Sequence, residues 1–320
     1  MSPGTASGRP KPTRIKSSHA RWLDAAGIHD PALRAAFEEC RKLQASFGRT
    51  YYLATLLLPP AKRPYVNSLY GFARYADEIV DNGDPLTRAE TLTRWSDRAL
   101  DDLRRGESAD PVCRALLHTM RVWDIRAEHI EAFLTSMLMD LTVTEYPTYA
   151  DLQKYMYGSA AVIGLEMTPI LEPREDGAYE RAHALGEAFQ FTNFIRDIDE
   201  DLDRGRLYLP LEDLDAFGVS REELEARVVT PRIRELLRYE IHRTRRIYAF
   251  AAEGVDMLAP SSRDCIHTAL ALYGGILDEI ERADHQVFDN RRAAVSLLRR
   301  LRVALPAYLH ARRQWEVSGA

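Results

Sequence analysis

The chain has 320 residues, of which 46% are hydrophobic and 28% charged, and its net charge is −5. This composition is ordinary for a globular protein, and the acidic balance argues against a nucleic-acid binder. Cys40, Cys113 and Cys265 are scattered without C-x-x-C spacing, so neither a zinc site nor a disulfide framework is expected, and a cytoplasmic location fits.

In chain order, residues 1–20 are rich in Pro, Gly, Ser and basic residues but lack the apolar stretch of a secretory signal. They read as a disordered basic tail. Helical periodicity begins over about 31–47. Phe47-Gly48-Arg49-Thr50-Tyr51-Tyr52 follows. There Gly48 permits close backbone approach, Arg49 offers a fork for phosphate and Thr50 a hydroxyl. The plainer alternative is a glycine-interrupted helix with an exposed arginine.

Periodicity resumes over about 64–81, 86–105, 111–122 and 127–141, divided by Asn82-Gly83-Asp84-Pro85 and Asp110-Pro111. The first of these segments carries Asp77 and Asp81, four apart and therefore on one helix face. The next, 148–172, holds Tyr155-Met-Tyr157-Gly158-Ser159-Ala160-Ala161-Val162-Ile163-Gly164. Its small side chains let either another helix or an apolar ligand tail come close. Segment 178–201 carries Gln190, Asn193, Asp197 and Asp201, spaced three, four and four, again one face over three turns.

Arg204-Gly205-Arg206-Leu207-Tyr208-Leu209-Pro210 then places two guanidinium groups on a loop. Such a loop either closes over a bound anion and excludes water or neutralises the acidic run before it. Segments 231–253, 261–282 and 291–312 complete the chain. The last, with Arg313 just beyond it, mixes seven arginines with Val and Leu, a pattern that suits either an anionic lipid surface or a packed helix with a solvated face. No period-two alternation suggests strands, no apolar run reaches the ~18 residues of a membrane span, and no G-x-G-x-x-G or Walker A sequence occurs. A single all-α domain over 21–312 follows, with 313–320 as a C-terminal tail.

The two acidic stripes matter together. Like charges at i,i+4 cost a helix roughly 0.2–0.5 kcal/mol per pair. Two stripes facing one cavity repel unless cations sit between them. Carboxylate and amide oxygens suit Mg²⁺, which prefers a few carboxylates plus substrate phosphates. The pattern predicts a site that grips a diphosphate through metal and draws it off a carbon.

Phe47–Tyr52, Arg74-x-x-Asp77-x-x-x-Asp81, Tyr155–Gly164, Gln190-x-x-Asn193-x-x-Arg196-Asp197-x-x-x-Asp201 and Arg204–Pro210 occur in that order over about residues 40–300. The ordered set resembles the squalene/phytoene synthase family, most closely its bacterial phytoene synthase branch. The resemblance implies an all-α isoprenoid-synthase fold with a central cavity. It implies Mg²⁺, with Mn²⁺ as a substitute, on Asp77 and Asp81 of one wall and on Asn193, Asp197 and Asp201 of the other. Gln190 would sit beside the reacting carbons or a diphosphate. Arg74, Arg196, Arg206 and Tyr208, with Gly48, Arg49 and Thr50, would hold the substrate's head. Tyr155 would line the junction with an apolar channel, and Tyr155 or Tyr273 would face a cation with its ring. Ala160, Ala161, Gly164 and Met167 would lie along a prenyl tail.

The activity so implied is head-to-head condensation of two geranylgeranyl diphosphates to phytoene, through a cyclopropylcarbinyl diphosphate, in carotenoid biosynthesis. NADPH is not expected. Squalene or dehydrosqualene synthesis from farnesyl diphosphate is the alternative. A class I terpene cyclase and a non-catalytic scaffold are the remaining rivals. An insoluble product needs a receiver, which predicts peripheral contact at the inner face of a membrane or docking of a carotenoid desaturase. The chain departs from the family's pattern at Val162, where the family's run often carries a hydroxyl, and at Asp199, where Gly is frequent.

Overall fold

A computed structural model describes residues 18–289 and 292–318, and all of its regular elements are helical. α1 (Ser18–Ala25) precedes α2 (Pro31–Phe47). The start of α2 is fixed by Pro31 in its first turn and by the Asp30 carboxylate, which accepts the Leu33 amide at 2.7 Å. Gly48 joins α2 to the short α3 (Arg49–Thr55), and α4 (Arg63–Asn82) follows. α5 (Arg88–Arg105) stops at Gly106, whose φ of 77° suits a residue without Cβ. α6 (Pro111–Trp123) is capped by Asp110, which accepts the Val112 and Cys113 amides. α7 (Ala127–Met139) leads to α8 (Tyr149–Met156), and a π-helical turn over Tyr157–Ala161 joins α8 to α9 (Val162–Ile170).

The second half holds α10 (Gly177–Arg196), α11 (Ile198–Asp203), α12 (Leu211–Phe217) and α13 (Arg221–Glu225). It ends with α14 (Pro231–Ala252), a 3₁₀ turn over Glu253–Met257, α15 (Pro260–Arg282) and α16 (Leu297–Ser318). Extended pairing among the described residues is confined to two isolated bridges, Glu145 with Leu207 and Pro173 with Leu258.

Two apolar cores flank the centre. One joins α2, α4, α5, α6 and α7 through Phe37, Leu69, Phe72, Trp95, Leu116 and Ile130. The other joins α8, α10, α14 and α15 through Phe191, Ile195, Leu237, Ile241, Leu272 and Leu277. Each such side chain contributes about 1.5–3 kcal/mol on full burial. α10 is the central element: it packs on α14 and α15 on one side and on α9 and the π turn on the other.

Long segments match the sequence reading closely, and the differences have physical causes. α1, α3, α12 and α13 have 5–8 residues each, too short to display a helical period. The 178–201 segment is not one helix: it breaks at Asp197 (φ −105°, ψ 15°). The 148–172 segment is interrupted by the π turn. α16 begins at Leu297 rather than 291 and runs to Ser318, with Trp315 buried. The expected tail over 313–320 is therefore helical as far as 318. Of the expected N-terminal tail, residues 1–17 lie outside the described part and Ser18 opens α1. No described helix is long and apolar enough to cross a membrane.

Candidate functional site

A cavity of about 720 Å³ opens between the two cores, within the size range of small-molecule sites. The cavity-facing residues Arg74, Asp77 and Asp81 come from α4. Arg74 donates to Asp77 at 2.5 Å and also pairs with Glu78. Burial, reinforced by the charge of Asp81, pushes the Asp77 carboxyl up to about 6, against the pull of Arg74. Arg206 reaches Asp81 at 3.2 Å and Arg204 approaches it at 3.8 Å.

Gln190, Asn193, Asp197 and Asp201 form the opposite wall. The helix break at Asp197 does not scatter them. The Asp197 amide still bonds Asn193 O at 2.8 Å and the Asp201 amide bonds Asp197 O at 2.9 Å, which keeps the stripe in register. Asp197 is gripped by two forks. Arg196 reaches it at 2.7 and 2.5 Å, and Arg292, from the segment before α16, at 2.8 and 2.5 Å. Burial raises the Asp197 carboxyl, but the two guanidinium groups outweigh it and hold the group below its ordinary value. Asp201 has no ion-pair partner among the described residues; burial and the charge of Asp197 push it up to about 8. The Asn193 amide oxygen is buried without a hydrogen-bond partner.

Between the walls sits a residue the sequence reading missed. Asp140, just beyond α7, accepts hydrogen bonds from Tyr155 at 2.8 Å and Tyr208 at 3.0 Å, and its backbone carbonyl accepts from Arg206 at 3.1 Å. Burial raises its carboxyl to about 6, while Arg206 and the two tyrosines act in the other direction. Tyr208 stacks on Phe194 with ring centres 4.1 Å apart. A lone acid in the apolar stretch Phe133–Val143 was the available signal. Arg292 was also missed as a site residue, because it reads as one arginine among many.

Tyr51 and Tyr273 line the cavity and stack at 4.8 Å, giving it an aromatic flank, and Phe189 backs Tyr273 at 4.6 Å. Thr50 lines the cavity beside Gly48, where an added Cβ would lie 2.6 Å from the Tyr70 ring. The side chain of Arg49 lies outside the described part.

Three expectations can be set against the geometry. Arg206 and Tyr208 are not on a free lid: each is about 7% exposed and bonded to the acidic cluster. Ala160, Ala161, Gly164 and Met167 do not line this cavity. A Cβ on Gly164 would meet the Ala182 carbonyl, and one on Gly186 the Ala160 carbonyl, so this small-residue run serves backbone-close packing on α10. Met167 packs against the first core. Finally, the five oxygen-bearing residues expected to hold metal all face the cavity, yet no three acidic, His or Cys side chains among the described residues lie close enough to form a metal cluster. The donor set nonetheless fits a hard cation: an orphaned amide oxygen on Asn193 and two carboxyls raised by burial and by a neighbouring carboxylate all call for positive charge.

Asp199, where the family's pattern often has Gly, points away from this chemistry and pairs with Arg227.

Comparison with known proteins agrees with the geometry. The family model for squalene/phytoene synthases matches residues 45–299. A 15-cis-phytoene synthase of Synechocystis sp. is 37% identical over 293 residues, 88% of this chain and 86% of that protein. A phytoene synthase of Arthrospira platensis is 38% identical, over 89% of this chain and 96% of its own length. Among solved structures, a dehydrosqualene synthase crystallised with ligand superposes with a TM-score of 0.80 at 26% identity, over 88% of this chain and 98% of that one. A squalene synthase from Alicyclobacillus acidocaldarius gives 0.74 at 27%, over 82% and 99%. The chain belongs to the squalene/phytoene synthase family.

Proposed function

We propose that the protein condenses two geranylgeranyl diphosphates head to head, forming phytoene through a cyclopropylcarbinyl diphosphate and releasing diphosphate. The observation that carries the chemistry is the facing of two carboxylate walls across one cavity with an aromatic flank. The choice of a C20 substrate leans on the relatives named phytoene synthase.

Asp77 and Asp81 on one wall, with Asn193, Asp197 and Asp201 on the other, would hold Mg²⁺ or, in its place, Mn²⁺. When bound, the cation supplies charge neutralisation that makes diphosphate a better leaving group. Arg74, Arg196 and Arg206 present guanidinium groups toward the same space and suit diphosphate oxygens. Gln190 sits beside them. The Tyr51–Tyr273 pair, backed by Phe189, offers π faces to an allylic cation and excludes water around it. Asp140 orients Tyr155 and Tyr208 and keeps their hydroxyl groups turned inward. Two proton losses complete the reaction, and hydride delivery is not part of it, so NADPH is not required.

The test is purified protein with Mg²⁺ and geranylgeranyl diphosphate, without NADPH, followed by hydrocarbon extraction and mass spectrometry. A C40 hydrocarbon with a conjugated triene chromophore is the expected product. A C30 product from farnesyl diphosphate alone would move the protein to the dehydrosqualene or squalene branch, which the superposed dehydrosqualene synthase makes the second reading. A cyclic C20 product would assign a cyclase, and no product from either substrate would assign a scaffold. An insoluble C40 product would pass from a cytoplasmic enzyme to a membrane surface or to a carotenoid desaturase.

A further inference from the structure

α16 presents an apolar stripe that none of the described residues covers. Leu297, Leu298, Leu301, Leu305 and Leu309 recur at one-, three- and four-residue spacing, hence on one side of the helix. Each leaves more than half of its surface exposed. The adjoining side anchors the helix: Ala304, Ala311 and Trp315 are buried, and the Arg63 guanidinium stacks on the Trp315 ring at 5.0 Å. Isolated exposed leucines need no explanation, but five in a row on a docked helix do.

Charge identifies the occupant. Residues 291–315 contain seven arginines and no aspartate or glutamate, in a chain whose net charge is −5. Arg302 and Arg313 are exposed beside the leucine stripe. An apolar stripe bordered by arginines, on a helix not apolar enough to span a bilayer, matches a helix lying in the headgroup plane of an anionic membrane.

Position adds to this. Ala293, Ala294 and Val295, immediately before α16, line the cavity, and so does Arg300 within it. We infer that α16 docks the protein on anionic lipid through Leu297, Leu298, Leu301, Leu305 and Leu309, setting the rim of the cavity against the bilayer. This deepens the proposed reaction, on which it depends for what leaves the cavity; the docking itself depends only on the helix.

The test is co-sedimentation of the full chain with vesicles, without substrate, so that its result is independent of any product assay. Phosphatidylcholine vesicles containing about one-third phosphatidylglycerol should retain the protein at low salt, while pure phosphatidylcholine should not. Arg302→Gln and Arg313→Gln should each weaken retention about five-fold, and Leu298→Ser with Leu305→Ser about ten-fold or more. Circular dichroism melts of the variants should match the parent, since these side chains are exposed. Failure of the parent to bind anionic vesicles would overturn the inference. So would retention unchanged by the leucine substitutions. A native mass of two chains that falls to one in Leu298→Ser/Leu305→Ser, without vesicle binding, would assign the stripe to self-association and also overturn it.

Discussion

The two carboxylate walls look alike in sequence and are built differently. On α4, Asp77 and Asp81 lie on one unbroken helix, and their arginine partners come from the same turn and from the distant 204–206 loop. On the opposite wall the helix breaks at Asp197, and that residue is held by Arg196 next to it and by Arg292 from the segment before α16. The first wall is pre-set by its backbone. The second is pre-set by side chains, and under the proposed metal role one of its forks would have to let go before a cation takes its place. Equal spacing therefore does not mean equal rigidity.

Neutralising either wall gives the largest expected effect. Asp77→Asn and Asp197→Asn should each lower hydrocarbon turnover by about 10²–10³-fold, the scale seen when one transition-state charge stabiliser is removed. A steady-state assay with saturating Mg²⁺ checks this, and a large loss at one wall only would break the symmetry of role assumed here.

A carboxyl outside both walls is the control for burial without arginine. Glu166 is buried, its Oε1 has no hydrogen-bond partner, and burial alone raises it from 4.5 to about 8. The folded pKa lies above the unfolded one, so its contribution to stability is intact below about pH 4.5 and is lost as pH rises toward 8. Denaturation of Glu166→Gln against the parent should show the parent losing about 2 kcal/mol relative to the variant between pH 5 and 7.

Asp140 ties the two walls together. Asp140→Asn should lower kcat/KM about ten-fold, on the scale of one hydrogen bond to a charged group, with Tyr155→Phe falling in the same range. If Tyr155→Phe is silent while Asp140→Asn is not, the carboxylate acts through Arg206 rather than through the tyrosine.

The smallest effect sharpens the comparison most. Arg292→Gln should tighten Mn²⁺ binding without substrate by about two- to five-fold, since a largely exposed ion pair is worth little. Titration by electron paramagnetic resonance reads it directly. Arg74→Gln serves as the matching variant on the other wall, where the fork is less exposed.

What the sequence made legible follows from range. Long helices, their proline starts and both stripes are local patterns, and α2, α4, α14 and α15 lie within a residue or two of expectation. Asp140 was not legible, since its partners Tyr155 and Tyr208 stand 15 and 68 residues away. Arg292 was not, since its partner is 95 residues away. The small-residue run Tyr155–Gly164 was visible, but its purpose turns on whether a helix or a ligand faces it. That is decided by α10, whose Ala182 carbonyl fills the space.

The same close packing sets limits on laboratory evolution of product length. At Gly158, Gly164 and Gly186 an added methyl would strike a backbone carbonyl, which cannot rotate aside as a side chain can. The aromatic flank and its backing are made of side chains, Tyr51 and Tyr273 with Phe189 against them, which can be exchanged for smaller ones while the helices stay in place. A library selected for longer or shorter hydrocarbons should therefore keep those three glycines and collect its substitutions among those three rings.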